Sequence, residues 1–98
     1  MAVLMDFAIS PTDKGAHVSP QVSRVVQLIK DSGFPYQLTA MGTLVETPTV
    51  GEALLLVEQA AALLETDSTR IYATIKLDIK SGASNMLEEK VRSVENKL

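Results

Sequence analysis

The feature that most constrains the fold is a long alternation of apolar and polar residues between Arg70 and Lys80. Every odd position in this segment is apolar, and all but one of the even positions carry a polar or charged group. Successive side chains of a β-strand point to opposite faces of the sheet, so this pattern is typical of a strand with one buried face. We therefore expect the odd positions, from Ile71 to Ile79, to face a core.

A second strand is predicted from Ala2 to Ser10, and it is apolar on both faces. Only Asp6 and Ser10 interrupt its second face. A strand of this kind usually lies in the middle of a sheet with both faces covered. Because one helix layer covers only one face, we expect another subunit to cover the other face, and hence a homo-oligomer.

Cap residues mark the ends of the first predicted helix. Ser19 is the expected N-cap, Pro20 the first helical residue, and Gly33 the left-handed residue after the last turn. The apolar positions between them recur at i, i+3, i+4 and i+7, namely Val22, Val25, Val26 and Ile29. This spacing places them on one face of a helix.

A β-hairpin and a second helix are predicted next. Two β-rich runs, Tyr36 to Ala40 and Thr43 to Thr47, are joined around Met41-Gly42. Thr49 and Glu52 then have the spacing of a capping box, in which each side chain satisfies a backbone donor at a helix start.

The predicted order is β-α-β-β-α-β, followed by a C-terminal helix that begins at about Ser84. That last helix has a narrow apolar seam, formed by Leu87, Val91, Val94 and Leu98. The order predicts an α+β fold, a ferredoxin-like βαββαβ sandwich in a single domain over residues 1–98. Right-handed crossovers place the antiparallel strands in the order 4-1-3-2, with the apolar first strand inside the sheet.

Composition and charge argue against several functions. The 98 residues include 9 basic and 12 acidic ones, for a net charge of −3, and the basic residues are scattered. A nucleic-acid-binding protein would carry a basic stripe. Neither a signal peptide nor an apolar run near the ~20 residues that cross a bilayer is present, so we expect a cytoplasmic protein.

The inventory of catalytic groups is poor. The chain has no cysteine, and His17 is its only histidine, so neither a thiol nucleophile nor a thiolate or His-rich metal site is expected. Ser10 or Ser19 with His17 and Asp13 would supply the groups of a hydrolase triad, but no nucleophile-elbow pattern accompanies them. No glycine-rich phosphate motif is present. We expect no catalytic residues, no metal and no cofactor.

The predicted hairpin carries a more specific pattern. The segment Gly33-Phe34-Pro35-Tyr36-Gln37-Leu38-Thr39-Ala40-Met41-Gly42-Thr43-Leu44-Val45-Glu46 resembles the S-G-[apolar]-x-Y-x-L-x-x-M-G-T-x-[apolar]-E signature of the small thiamine-binding proteins with a YkoF-like fold. The similarity extends to Ile9-Ser10-Pro11, to the run from Thr74 to Asp78 and to the closing helix. The resemblance implies a ferredoxin-like subunit that forms homodimers or homotetramers. It also implies binding of thiamine or its hydroxymethylpyrimidine moiety, without catalysis.

The resemblance and the chemistry of thiamine together suggest a set of ligand-binding residues. They are Ser10, Tyr36, Thr39, Met41, Gly42, Thr43, Glu46, Thr47 and Asp78. Tyr36 and Met41, with Phe34, would pack against the flat rings, and the hydroxyls would bind the pyrimidine edge. Glu46 or Asp78 would lie near the thiazolium cation. The chain departs from the family pattern at Ala40, Thr47 and Ile79-Lys80.

The predicted strand order separates these residues into two groups. We expect Ser10, Tyr36, Glu46 and Thr47 toward one end of the sheet, and Met41, Gly42 and Asp78 toward the other. A neighbouring subunit would then be needed to complete one pocket.

Two other functions remain open at this point. One is a regulatory or protein-interaction module without a small-molecule ligand, and the other is an enzyme with a dispersed carboxylate site that includes Glu46. Four charged strand residues, Asp6, Lys76, Asp78 and Lys80, predict an intersubunit salt-bridge network or a ligand contact, and the last three of them share one strand face.

Overall fold

The computed structural model describes all residues from 1 to 98. Its elements are β1 (Ala2–Pro11), α1 (Ser19–Asp31), β2 (Tyr36–Thr39), β3 (Gly42–Thr47), α2 (Val50–Glu65), β4 (Ile71–Lys80) and α3 (Met86–Glu95). This is the predicted order of elements. None of the helices is long and apolar enough to span a bilayer.

The four strands form one antiparallel sheet in the order β2-β3-β1-β4, which confirms the predicted ferredoxin-like fold. β1 lies between β3 and β4, as its apolar character on both faces predicts. The two outer strands, β2 and β4, each have one free edge.

The core lies between the odd side chains of β1 and helices α1 and α2. It is a single cluster of buried residues from β1, α1, β3 and α2, comprising Val3, Met5, Phe7, Ile9, Val25, Ile29, Val45, Ala53, Leu56, Ala60 and Leu64. Each large apolar side chain that leaves water contributes ~1.5–3 kcal/mol to folding. This layer holds the sheet and two helices together without any disulfide.

Local signals set most of the helix ends. The Thr49 hydroxyl accepts a hydrogen bond from the Glu52 backbone N–H at 3.1 Å, so Thr49 is the N-cap of α2 as predicted. Gly33 has a φ of +81°, the left-handed conformation expected after α1. The prediction for Ser19 was wrong by one residue, because α1 includes Ser19 and Val18 is its N-cap, without a side-chain hydrogen bond.

β4 is more exposed than its alternation predicts. Its odd side chains do lie on the helix side of the sheet, where Ile71 packs against the core. Leu77 and Ile79 nevertheless remain exposed, Ile79 to 52%. The reason is position, since β4 is an edge strand and the two helices pack mainly over the inner strands.

α3 lies on the sheet face opposite α1 and α2. It contacts that face near Leu4, whose two neighbours in register, Glu46 and Asp78, both bond to α3. The chain therefore covers part of its own second face. The remaining part of that face, around Asp6, Ala8 and Tyr72, is not covered by α3.

Candidate ligand-binding site

The sheet is narrower at one end because β1 extends four residues beyond its last pair with β3. β1 pairs with β3 only from Val3 to Phe7, whereas it pairs with β4 all the way from Ala2 to Pro11. The segment Ala8–Pro11 thus has a strand on one side only. A pocket occupies the space where β3 would otherwise continue.

This hairpin-end pocket has a volume of about 300 Å³. Three segments form it: the end of β1, the first turns of α1, and the tip of the β2-β3 hairpin, with two further side chains from β4. Its lining residues are Phe7, Ala8, Ile9, Ser10, Val18, Val22, Val25, Val26, Leu38, Thr39, Ala40, Met41, Gly42, Thr43, Tyr72 and Thr74. The volume is at the lower end of the range for small-molecule sites.

The walls are mostly apolar, with hydroxyl groups spaced among them. Four residues supply the hydroxyls, namely Ser10, Thr39, Thr43 and Thr74, and Tyr72 adds a phenol that is 67% exposed. Not one lining residue is charged. Such a surface suits a flat apolar ring with polar atoms on its edge.

Thr39 organises the tip of the hairpin. Its hydroxyl donates to the carbonyl of Gly42 at 2.8 Å and accepts from the Met41 backbone N–H at 3.2 Å. The turn thereby presents the Met41 side chain outward, 89% exposed, at the mouth of the pocket. Thioether side chains of this kind adapt readily to a flat partner.

Gly42 is required by the close approach of the hairpin to β1. A Cβ atom at this position would lie 3.0 Å from the carbonyl oxygen of Phe7 and 3.2 Å from Oδ1 of Asp6. Contacts that short force neighbouring atoms to move. The same distances place the Asp6 carboxylate beside Gly42, a lining residue of the pocket.

The structure divides the predicted site residues differently from the expectation. Ser10, Thr39, Met41, Gly42 and Thr43 come together in the hairpin-end pocket. The placement of Ser10 with Glu46, and of Asp78 with Met41, was wrong. β1 is antiparallel to both neighbours, so its last residues lie beside the hairpin tip and the start of β4, while Asp78 lies beside Leu4.

The remaining predicted residues lie toward the other end of the sheet, where they make contacts within the chain. Glu46 accepts a hydrogen bond from the Leu87 backbone N–H, and the Thr47 hydroxyl, which is buried, donates to the Thr49 carbonyl at 2.8 Å. Asp78 pairs with Lys90. Tyr36 packs against the core and borders a separate groove along α1.

Sequence reasoning missed part of the lining. Tyr72 and Thr74 follow from the alternation of β4, which places them on the face shared with Ala8 and Ser10. Val18, the N-cap of α1, had no local signal, and Val22 was expected only on the apolar face of that helix. The packing of α1 brings both to the pocket. Asp6 was predicted in general terms as a residue of a salt bridge or a ligand contact, but it was not among the expected thiamine-binding residues.

The polar residues of the β1-α1 loop are used in a structural contact. Asp13 Oδ2 accepts hydrogen bonds from the backbone N–H and the hydroxyl of Thr69, at 2.8 and 2.9 Å. These two bonds lower the pKa of the Asp13 carboxyl below its ordinary value of 3.8. No three His, Cys, Asp or Glu side chains converge as metal ligands.

Fold and pocket together define a ferredoxin-like α+β domain with a small recess at the hairpin end of its sheet. The sequence matches the thiamine-binding protein family over residues 5–95, and the chain belongs to this family. The family is named for binding, and the name indicates no catalytic activity.

Individual relatives agree with this assignment. A UPF0045 protein of Mycobacterium bovis is 33% identical over 98 residues, which cover 100% of this chain and 96% of the relative. The crystal structure of a hypothetical protein from Methanocaldococcus jannaschii has a TM-score of 0.87 at 26% identity and covers 96% of each chain. A candidate thiamine biosynthesis/salvage protein from Thermotoga maritima has a TM-score of 0.83 at 23% identity, over 96% of this chain and 99% of that one, and it shares the fold.

Proposed function

We propose that this protein binds thiamine or its hydroxymethylpyrimidine moiety in the hairpin-end pocket, without catalysis, as a cytoplasmic carrier, buffer or sensor. The observation that carries the proposal is the convergence of five predicted ligand-binding residues on one pocket of about 300 Å³. The family assignment over residues 5–95 supports the same ligand class.

The apolar walls provide surfaces for a flat heteroaromatic ring. Met41 and Tyr72 flank the mouth, and Leu38, which is 58% exposed, lines the helix side together with the valines of α1. An aminopyrimidine that enters the pocket buries its faces against these side chains and gains ~25 cal/mol per Å² of apolar surface. The aromatic ring of Tyr72 adds a stacking partner.

The hydroxyl groups provide partners for the polar edge of the ring. Ser10 and Thr43 lie on neighbouring strands at the end where β3 begins, Thr43 on the helix side of the sheet and Ser10 on the other face. A hydroxyl both donates and accepts. Each hydroxyl is therefore able to pair with a polar atom of the ligand on its own side of the sheet. We assign this role to Ser10 and Thr43, whereas the Thr39 hydroxyl holds the hairpin tip.

We assign the role of carboxylate partner of the thiazolium cation to Asp6, in place of Glu46 or Asp78. Oδ1 of Asp6 lies 3.2 Å from the position of a Cβ on Gly42, at the border of the pocket, and its side chain is partly exposed. Lys76 Nζ lies 3.6 Å from Oδ2 of the same carboxylate. A thiazolium ring beside Asp6 would compete with this surface ion pair, which itself contributes little to stability.

Assembly into a homo-oligomer forms part of the proposal. β4 has a free edge, and its apolar side chains remain in contact with solvent, among them Tyr72, Ile75, Leu77 and Ile79. Sheet edges and apolar patches of this kind are generally covered. A second copy paired along β4 would cover both and would stand close to Tyr72 at the pocket mouth.

Isothermal titration calorimetry tests the proposal directly. We expect saturable heat with thiamine and with hydroxymethylpyrimidine, and an affinity about 5- to 20-fold weaker for Thr43→Val, since the variant keeps the shape and loses one hydrogen bond. Thr66→Val is the matched control, because Thr66 does not line the pocket, and it should bind like the wild type. Absence of heat with either ligand at millimolar concentration would refute the proposed function.

A further inference from the structure

The end of β1 has a free backbone edge inside the hairpin-end pocket. Two contacts establish which backbone groups point to this edge. The carbonyl oxygen of Phe7 faces the start of β3, 3.0 Å from the position of a Cβ on Gly42, and the Thr12 N–H donates to the Arg70 carbonyl, on the β4 side, at 2.9 Å. In an antiparallel strand the backbone groups of successive residues alternate between the two sides. Ile9, two residues from Phe7, therefore directs its N–H and C=O toward the hairpin side.

No strand residue is available to pair with Ile9 on that side. The pairing of β1 with β3 ends at Phe7 and Thr43, and two more steps in the same register would bring Met41 opposite Ile9. Met41 instead lies in the turn, where its N–H is bonded to the Thr39 hydroxyl. The next group along this edge belongs to Pro11, which has no N–H to offer.

Ile9 is also buried and borders the pocket. It is 7% exposed, and its side chain belongs to the hydrophobic core. A backbone donor and acceptor in such a place normally have partners, because a polar group without one loses the hydrogen bonds that water would make. A ligand in the pocket is positioned to supply both partners.

We propose that the main-chain N–H and C=O of Ile9 recognise the ligand's hydrogen-bonding edge. This inference rests on the proposed function and adds the atoms that select the ligand. The N–H and C=O of one residue in an extended strand lie side by side, as a donor next to an acceptor. Their complement is a planar heteroaromatic with a ring-nitrogen acceptor next to an exocyclic amino donor, which is the amidine-like edge of an aminopyrimidine. The ligand thereby extends the sheet as an added strand would.

This recognition predicts a specific discrimination between ligands. In the 4-oxo analogue of thiamine the amino donor becomes a carbonyl acceptor, and the neighbouring ring nitrogen carries a proton. The analogue then opposes donor to donor and acceptor to acceptor at Ile9 while its shape and positive charge are unchanged. Sites built around hydrogen bonds reject such mismatches strongly. We expect the analogue to bind about 10- to 100-fold more weakly than thiamine.

The test combines NMR of the ¹⁵N-labelled wild-type protein with calorimetry, because an Ile9→Pro variant removes the N–H but also endangers folding. On saturation with thiamine, the Ile9 amide should shift and its hydrogen exchange should slow by about 10-fold or more. The Phe7 amide, which faces β3, is the internal control and should change little.

The outcomes separate this inference from the proposed function. Thiamine binding with Ile9 protected and the 4-oxo analogue weakened supports both. Thiamine binding with an unchanged Ile9 amide, or with equal affinity for the analogue, overturns the role of Ile9 and leaves the proposed function intact. No heat and no shift with thiamine overturns both.

Discussion

The carboxylate of Glu46 accepts a hydrogen bond from the backbone N–H of Leu87 at 2.8 Å, so a strand residue caps the helix on the outer face of the sheet. The N-cap of α3, Asn85, makes no side-chain bond of its own. Glu46 therefore provides the anionic acceptor that the first turn of a helix favours. A residue that the sequence predicts as a ligand contact therefore has a structural partner within the fold.

Replacement of Glu46 by alanine should loosen α3 and leave the ligand site intact. We expect the free energy of unfolding to fall by about 1–2 kcal/mol, the usual cost of a lost helix cap. Urea denaturation measures this loss, and Glu58→Ala on the exposed side of α2 is the control. A Glu46→Ala variant with unchanged stability and a tenfold weaker affinity for thiamine would contradict this prediction and would show that Glu46 contacts the ligand.

Asp6→Asn should lower the affinity for thiamine but not the affinity for its neutral pyrimidine moiety. Loss of the carboxylate beside Gly42 removes a favourable interaction with the thiazolium cation but not with hydroxymethylpyrimidine. We expect thiamine to bind about 3- to 10-fold more weakly at low ionic strength, as is usual for a partly exposed charge pair. Calorimetry with both ligands checks this, and an equal loss for both would show that Asp6 acts through folding.

Gly42→Ala should destabilise the protein and weaken binding. The new methyl group would meet the Phe7 carbonyl oxygen and Asp6 at 3.0 and 3.2 Å, which forces the hairpin away from β1. We expect a loss of about 1–3 kcal/mol in unfolding free energy. The matched control is Gly51→Ala in the first turn of α2, where the nearest atom is 4.0 Å away, and it should be neutral or slightly stabilising. Equal behaviour of the two variants would contradict the close-approach argument.

Stability should depend on pH through Asp13. Hydrogen bonds from Thr69 lower the pKa of this carboxyl in the folded state, so its contribution is complete above the unfolded-state pKa and is lost as the pH falls through the lower folded value. The stability difference between the wild type and Asp13→Asn should therefore be constant near neutrality and should shrink below about pH 4. Thermal unfolding between pH 2.5 and 7 measures it, and a difference that grows on acidification would have the wrong sign.

A charge among the exposed apolar side chains of β4 should disrupt assembly. We expect the wild type to elute as a dimer or larger species, and Ile79→Lys to shift it toward the 10.6 kDa monomer, because the lysine would be buried in the interface. Leu98→Lys is the control, at a C-terminal side chain that is 97% exposed. Light scattering coupled to size exclusion provides the mass, and a monomeric wild type at micromolar concentration would refute the oligomer.

Several parts of the fold were determined by local pattern. The apolar character of β1 on both faces put it between two other strands, the alternation of β4 assigned its sides, and the Thr49 cap marked the start of α2. These features depend on periodicity and on hydrogen bonds between residues near one another in the chain, so they can be predicted from the order of residues.

The site was decided by tertiary structure. Five of the predicted ligand residues share a pocket only because β3 begins at Gly42 while β1 continues to Pro11, and that offset is a register between distant segments. The same register places Asp78 beside Leu4, and it places Glu46 where its carboxylate accepts a hydrogen bond from α3. The sequence by itself determined which strands exist and which faces are apolar. Only the folded sheet decided where one strand ends beside another. The reason is that the register is set by the packing of the whole core and cannot be read from the residue pattern of a single segment.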